Sequence, residues 1–282
     1  MPELPEVETI KNDLIEKILG QKIVAVDVLN LRSVRSTDLK KKLIGAHFSG
    51  IDRVGKLLIL KIGSDKILLI HLKMTGQLIF RDQDNLIVGG HSDGLIQDLP
   101  NRHTRIILKF KNGATLYFND LRKFGYWQLV NESELQKIIS KYGPEPLSDT
   151  FDSEYLRNIL SKTKRNIKAV LLDQSLIAGI GNIYADEILF AAGVLPERMA
   201  NDLSDGEIKA IVKYAKLIIA KAIKYRGTTF NNYRDSEGRV GNFLKHLKIY
   251  GRKNLPCVTC GRKIIKKKVA GRGTCYCVGC QK

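Results

Sequence analysis

The chain has 282 residues, an apolar fraction of 44%, and 47 Lys and Arg against 29 Asp and Glu, a formal charge of +18; that length suits two medium domains with or without a small appended module. The charge, with a pI near 9.7, points to a polyanionic partner, nucleic acid ahead of anionic lipid, because a basic surface gains affinity by releasing counterions from phosphates. A run of about 18 apolar residues is missing, which argues against a membrane span, and the acidic start has no basic segment followed by an apolar run as in a secretory signal, so a soluble, cytoplasmic protein is expected.

At the N-terminus, Val7, Ile10, Leu14 and Ile18 fall at helical spacing. Pro5 suits the first turn of that helix and Gly20 its end. Met1 precedes a small residue and is expected to be trimmed, exposing Pro2 as a secondary amine. An α-amino group titrates near 7.7–8.0 and a lysine near 10.4, so about a third of such a terminus is neutral at pH 7.5. A neutral amine can attack a sugar C1′ and form an iminium with the opened sugar, with Glu3 and Glu6 beside it for proton transfer. The same two carboxylates also suit the positive end of a helix dipole, with no chemistry implied.

From Lys22 to about Val130 the pattern is β. Val24, Val26 and Val28 alternate, Leu57–Ile62 and Ile67–Leu72 read as buried strands, and Ile106–Phe110 and Ala114–Phe118 flank an Asn112-Gly113 hairpin turn. The reading is a β-sandwich or barrel with a leading helix, interrupted by a polar, Gly-rich excursion from Arg81 to Arg102. Helical segments follow at Glu132–Tyr142, Asp152–Ser161, Ile167–Leu172, Tyr184–Ala192 and Asp205–Ile223. Between the third and fourth of these, Gly179 and Gly181 lead to Asn182, placed either to cap the next helix or to open a phosphate-binding helix start. Arg226 to Asn242 reads as a mobile loop.

All five cysteines lie near the C-terminus. Cys257-x2-Cys260 and Cys277-x2-Cys280 have the spacing of a four-thiolate zinc ribbon, one structural ion held by two knuckles, with Cys275 as a spare thiol. From Tyr250 to Lys282 there are nine Lys or Arg and no Asp or Glu, so this finger is expected to touch phosphates, with Arg272 between Gly271 and Gly273 the most pointed candidate. The resulting plan is α+β and multidomain: 1–130 β-rich and catalytic, 131–225 helical, 226–248 a recognition loop and connection, and 249–282 a zinc finger.

With these pieces in order, the chain resembles the formamidopyrimidine-DNA glycosylase family over its whole length. The resemblance is carried by Pro2-Glu3-Leu4-Pro5-Glu6-Val7-Glu8-Thr9, Gly179-Ile180-Gly181-Asn182, Tyr250-Gly251-Arg252 and Gly271-Arg272-Gly273-Thr274. It implies a bifunctional glycosylase and lyase of base excision repair acting as a monomer on duplex DNA with oxidised purines. Pro2 would be the nucleophile, Glu3 the acid and base, Lys56 a phosphate ligand on a Gly55-Lys56 turn, and Glu6 an organiser. Asn182, in a helix–two-turns–helix motif, and Arg272 would grip the DNA backbone. Met74, Arg122 and Phe124 would fill the stack vacated by an extruded base, Arg122 reading the orphaned partner. On pattern alone Met74 and Phe124 read as core residues more often than as functional ones. Two features depart from the family, the long Arg81–Arg102 excursion and Cys275 where an aromatic or His is usual. The rival readings are the sister family for oxidised pyrimidines, which usually has Gly in place of Leu4, and a non-catalytic zinc-ribbon DNA-binding protein.

Overall fold

The computed structural model describes residues 1–83, 86–90, 98–228 and 242–282. The chain divides into two compact units, Met1–Ser140 with Tyr225–Leu244, and Lys141–Lys224 with Lys245–Lys282. The four sequence segments thus group in two, the finger with the helices, and both ends of the 226–242 segment with the β-rich unit.

In the first unit, helix α1 (Leu4–Ile18) leads into β1 (Ile23–Val28), a short helix α2 (Leu39–Leu43), and strands β2 (Phe48–Val54), β3 (Leu57–Ile62), β4 (Lys66–His71), β5 (Gly76–Arg81), β6 (Leu86–Gly90), β7 (Thr104–Phe110), β8 (Thr115–Asp120) and β9 (Tyr126–Val130), closing on α3 (Glu132–Ile139). The strands form two antiparallel sheets, β1-β7-β8-β5-β6 and β2-β3-β4-β9. One apolar core draws Leu58, Leu60, Leu68 and Trp127 from the smaller sheet and Leu78, Phe80, Ile106 and Leu116 from the larger, with Val7, Ile10 and Leu14 of α1. The architecture is therefore a sandwich with a leading helix. Leu57, Ile59, Ile67 and Leu69, which alternate with those residues, form a second cluster with Leu135 of α3. Covering on both faces explains why β3 and β4 read as continuous apolar runs.

Two expectations in this unit are corrected. Val24, Val26 and Val28 do not share a buried face: a register shift between Ile23 and Ala25 buries Ile23 and Val26 and leaves Val24 47% exposed. A bulge of this kind changes the phase of the pleat, and local alternation does not reveal it. The Arg81–Arg102 excursion contains a strand, β6, paired with β5. Its two glycines hide it from a propensity reading, yet a Cβ on Gly89 would lie 2.2 Å from Ile10 Cγ1, so the bare backbone is what lets α1 pack there. Residues 84–85 and 91–97 of the excursion lie outside the described residues, as do 229–241 of the expected loop.

The second unit holds α4 (Ser153–Ser161), α5 (Ile167–Leu172), α6 (Asn182–Ala192), α7 (Asp205–Lys224) and the hairpin β10 (Ile265–Val269) and β11 (Arg272–Tyr276). Asp152 caps α4 and Asn166 caps α5, each side chain accepting a backbone N–H of the first turn. Among the described residues no helix is long and apolar enough to cross a membrane.

Candidate active site and nucleic-acid interface

The start of α1 is buried and acidic. Glu3 and Glu6 are 1% and 4% exposed, and Pro2 is buried beneath an exposed Met1. Glu6 holds the corner together. One carboxylate oxygen accepts the Glu3 N–H at 2.9 Å; the other accepts the Thr228 N–H at 2.8 Å and its hydroxyl at 3.0 Å. Gly227 is required at this approach, since its φ is +75° and a Cβ would sit 2.6 Å from Glu6 Oε1. The residues on either side of 229–241 are tied to each other as well, Asn242 N–H to the Tyr225 carbonyl and Phe243 N–H to that of Gly227.

Lys56 lies on the two-residue turn between β2 and β3, as its Gly55 partner suggests, and is 7% exposed. Arg53 braces this turn against α1, donating from Nε to Glu8 at 2.8 Å and from Nη1 to the Gly55 carbonyl at 2.8 Å. Burial pushes the Glu8 carboxyl up, but hydrogen bonds from Lys11 and Arg53 outweigh it and hold Glu8 below its usual range. His71 Nδ1 accepts the Lys73 N–H at 3.1 Å. Burial, then Lys73, Lys56 and Arg35, push the imidazole down to about 3, so it is neutral at physiological pH. The Arg35 guanidinium stacks 3.4 Å from the Tyr126 ring centroid, and that ring lies 5.8 Å from the imidazole. Sequence reasoning named Lys56 but missed His71 and Arg35, which come together through the pairing of β4 with β9.

Met74, Arg122 and Phe124 come together on the surface. Arg122 Nη1 lies 3.1 Å from Met74 Sδ, its guanidinium is 4.7 Å from the Phe124 ring centroid, and Phe124 is 51% exposed. The core reading of Phe124 is thereby excluded; Met74 is half-buried. Two turns carry these residues, and a fully buried carboxylate, Asp120, fastens them. It pairs with the Thr75 hydroxyl on one turn and accepts the Arg122 and Gly125 N–H groups at 3.2 and 2.7 Å on the other. The Asp120–Thr75 pair is invisible to local sequence pattern because it joins residues 45 apart.

In the second unit, Gln174 closes the turn between α5 and α6: its amide NH₂ donates to the Leu172 and Ile180 carbonyls and its oxygen accepts the Gly179 N–H. Gly181, not Asn182, occupies the cap position of α6. Asn182 is the first helical residue, and its Nδ2 donates to the Gly273 carbonyl at 3.0 Å. The capping reading is thus corrected: Asn182 joins the helix start to the finger hairpin that presents Arg272. Two consecutive carboxylates of α6 hold the finger, Asp186 at its hairpin and Glu187 at the segment leading into it. Asp186 accepts the Cys275 N–H at 2.9 Å and pairs with Lys168 Nζ at 2.5 Å, both fully buried, while Lys168 also donates to Thr274 Oγ1 at 2.6 Å. Burial outweighs Lys168 and pushes the Asp186 carboxyl up to about 6. Glu187 accepts the N–H groups of Lys248, Ile249 and Tyr250, all at 2.9 to 3.0 Å.

Cys257, Cys260, Cys277 and Cys280 are placed to hold a metal ion, with all four Sγ atoms within 4.8 Å of one another. The Cys257–Cys280 and Cys260–Cys277 separations are 3.8 and 3.4 Å, against about 3.8 Å for thiolates placed tetrahedrally around one ion at about 2.3 Å. Burial and the neighbouring thiols push the Cys280 thiol up to about 12, a penalty that a dication removes. Cys275 is not one of the four; it packs in an apolar cluster with Phe190, Ile249 and Ile264 that also takes in Cys257 and Cys277.

Together with this fold, the comparisons with known proteins define the class, a DNA glycosylase of base excision repair. A profile of the formamidopyrimidine-DNA glycosylase N-terminal domain matches residues 1–127, and one of the H2TH domain of the same enzymes matches 142–234. The chain is 42% identical to a formamidopyrimidine-DNA glycosylase of Desulforamulus reducens and 41% identical to one of Listeria monocytogenes, with all of this chain and at least 99% of each relative covered. Among solved structures it is similar to Lactococcus lactis Fpg in complex with DNA containing an abasic site, TM-score 0.88 at 37% identity over 99% of both chains. It is also similar to a point mutant of that enzyme in complex with DNA containing Fapy-dG, TM-score 0.89 at 36% identity over all of both chains. The chain belongs to the formamidopyrimidine-DNA glycosylase family.

Proposed function

We propose that this glycosylase removes oxidised purines, 8-oxoguanine and formamidopyrimidines, from duplex DNA through a covalent intermediate on Pro2, and then cleaves the strand by β,δ-elimination. The observation that carries the reading is the buried carboxylate pair behind Pro2, with Glu6 spending its oxygens on Glu3 N–H and Thr228 and so keeping the corner fixed around Glu3. With Met1 removed, the neutral Pro2 nitrogen attacks C1′. The C1′–base bond breaks as the proton of the Pro2 amine passes to the departing base, and Glu3 then delivers a proton to the sugar oxygen as the ring opens, leaving an iminium between Pro2 and C1′. Loss of a C2′ proton expels the 3′ phosphate, a second elimination expels the 5′ phosphate, and water releases Pro2.

The cation set of Lys56, Lys73 and Arg35 around neutral His71 suits a phosphate next to the lesion, and Asn182 with Arg272 suits the backbone on the other unit. Met74 and Phe124 replace the lost stacking, while Arg122 hydrogen-bonds the orphaned base. The four cysteines hold zinc, which supplies folding energy and no reacting group. Every proposed site residue comes from one chain, so a monomer suffices. The relatives bound to abasic-site and Fapy-dG DNA support this substrate class.

Borohydride reduction of the zinc-loaded, Met1-processed protein on a duplex with 8-oxoguanine opposite cytosine is expected to trap an adduct that maps to Pro2. Pro2→Gly is expected to bind damaged duplex and lose most excision. Trapping confined to a parallel oxidised-pyrimidine duplex would move the substrate class to that of the sister family. Tight binding with no adduct on either duplex would leave a DNA-binding protein without this chemistry.

A further inference from the structure

Residues 226–228 are laid along one face of α1, within a single unit. Glu6 and Asp13 are seven residues apart on that helix, about two turns, so their carboxylates line the same face. Thr228 is bonded to Glu6 through its N–H and its hydroxyl, Gly227 passes close against the Glu6 carboxylate, and Arg226 Nη2 meets Asp13 Oδ1 at 2.5 Å. The Asp13 end of this strip touches none of the groups that react at Pro2, and each half of its ion pair is unfavourable alone. Asp13 is 9% exposed, and a carboxylate withdrawn from water beside Ile10 and Leu14 needs a cation to offset its lost hydration. Arg226 has a φ of +61°, in the left-handed region that glycine adopts readily and a residue with a Cβ does not. The two costs are offset when the side chains meet, and the left-handed turn then delivers Gly227 and Thr228 to Glu6. The carbonyls on either side of Arg226, those of Tyr225 and Gly227, also accept the Asn242 and Phe243 N–H groups, so the same contact fixes the chain where it returns.

We propose that Asp13 and Arg226 are a positioning pair for excision, clamping residues 226–228 on α1 and so setting the geometry of the Pro2 corner. The contacts run from Asp13 to Arg226, along the backbone to Thr228, and from Thr228 to one oxygen of Glu6, whose other oxygen accepts the Glu3 N–H at 2.9 Å. When Arg226 is released, Thr228 draws back and the Glu6 carboxylate loses the donors that orient it towards Glu3. Glu3 then shifts relative to the Pro2 nitrogen and the sugar, and a misplacement of about 1 Å in a reacting group costs on the order of 100-fold in rate. The assignment rests on the reading of Pro2 and Glu3 as the reacting groups.

The test uses the zinc-loaded, Met1-processed chain and two double variants that keep its net charge, so that general attraction to duplex DNA is unchanged. Asp13→Leu with Arg226→Gly removes the pair together with both of its costs, the buried carboxylate and the left-handed arginine, and is expected to keep at least the wild-type urea midpoint. Its single-turnover excision of 8-oxoguanine opposite cytosine is expected to fall about 10- to 100-fold, with undamaged-duplex affinity unchanged. Asp13→Arg with Arg226→Asp rebuilds the contact with the charges exchanged, aspartate being one of the residues that tolerate the left-handed region. That variant is expected to recover most of the rate that either of its single substitutions loses, which a residue needed only for folding would not show. Wild-type excision by the Leu and Gly variant would overturn the pair, as would a rate loss seen only together with a lowered urea midpoint. A charge-exchanged variant as slow as its single substitutions would overturn it too. Borohydride trapping of the wild type is read separately: excision without an adduct at Pro2 would refute the Pro2 reading, while the rate comparison still judges the pair.

Discussion

The imidazole of His71 accepts a backbone N–H at Nδ1, which fixes its other nitrogen as the donor when the ring is neutral. Burial and the cations Lys73, Lys56 and Arg35 keep it neutral down to about pH 3, so it can offer a hydrogen bond to a phosphate without the cost of one more buried charge. The same shift is a stability statement. Between about pH 6.5 and about 3 the unfolded chain binds a proton at this position that the native one refuses, so His71 subtracts stability as the pH falls through that window. Asp186 acts with the opposite sign: its carboxyl, raised to about 6, keeps a proton in the native state that the unfolded chain has lost, so its unfavourable contribution fades as the pH drops from about 6 towards 4. His71→Asn retains an acceptor for the Lys73 N–H and removes the titration. Urea midpoints at pH 7.5 and 4.5 are expected to differ less in the variant than in the wild type. An equal acid loss in both proteins would mean that His71 is not held neutral.

Elements separate what was legible from what was not. The helix Ile167–Leu172 and the strand Leu57–Ile62 were bounded correctly by apolar spacing, because each buries a face or faces with a single period. The Cys-x2-Cys pairs and the Gly55-Lys56 turn were legible for a similar reason, since the geometry is complete within a few residues. What local pattern missed lies in partners far along the chain: the bulge that buries Ile23 and Val26 together, the strand Leu86–Gly90 concealed by its glycines, and the carboxylates Asp120, Asp186 and Glu187 that fasten turns and hairpin. Resemblance pointed to Asn182, Arg272 and Arg122, but not to these supports. Glu187 gives the sharpest test at this scale. Its carboxylate satisfies three backbone N–H groups where the chain enters the finger, and an orphaned buried donor costs about 1–3 kcal/mol. Glu187→Ala is therefore expected to lose on the order of 3 kcal/mol or more in urea unfolding, with early proteolytic cleavage near Lys248, whereas Glu187→Gln, which keeps one acceptor oxygen for all three, recovers most of the loss. Equal damage from both variants would assign the effect to charge in place of the hydrogen bonds.

Over the whole molecule, the +18 charge sets a general affinity for polyanions and says nothing about where a duplex is held; that information sits in a few pinned groups. The finger is the extreme case, nine basic residues in a stretch with no acidic one, kept folded by a small apolar cluster and four sulfurs. Such a module has little core to set against its own repulsion, and a metal ion held by the four sulfurs would supply the difference. Two cysteine variants separate the metal's part from that of packing. Cys257→Ser removes one of four ligands and is expected to abolish tight zinc retention and to weaken duplex binding steeply at moderate salt, because the hairpin carrying Arg272 loses its base. Cys275→Ser alters a thiol only 3% exposed but outside the cluster of four, so it is expected to keep one zinc per chain, with a stability loss of about 1–2 kcal/mol from placing a hydroxyl among Phe190, Ile249 and Ile264. Zinc content and duplex affinity measured on both variants decide the assignment. Full zinc in Cys257→Ser, or its loss in Cys275→Ser, would mean that the fifth cysteine takes part in the metal site and that the two knuckles alone do not define it.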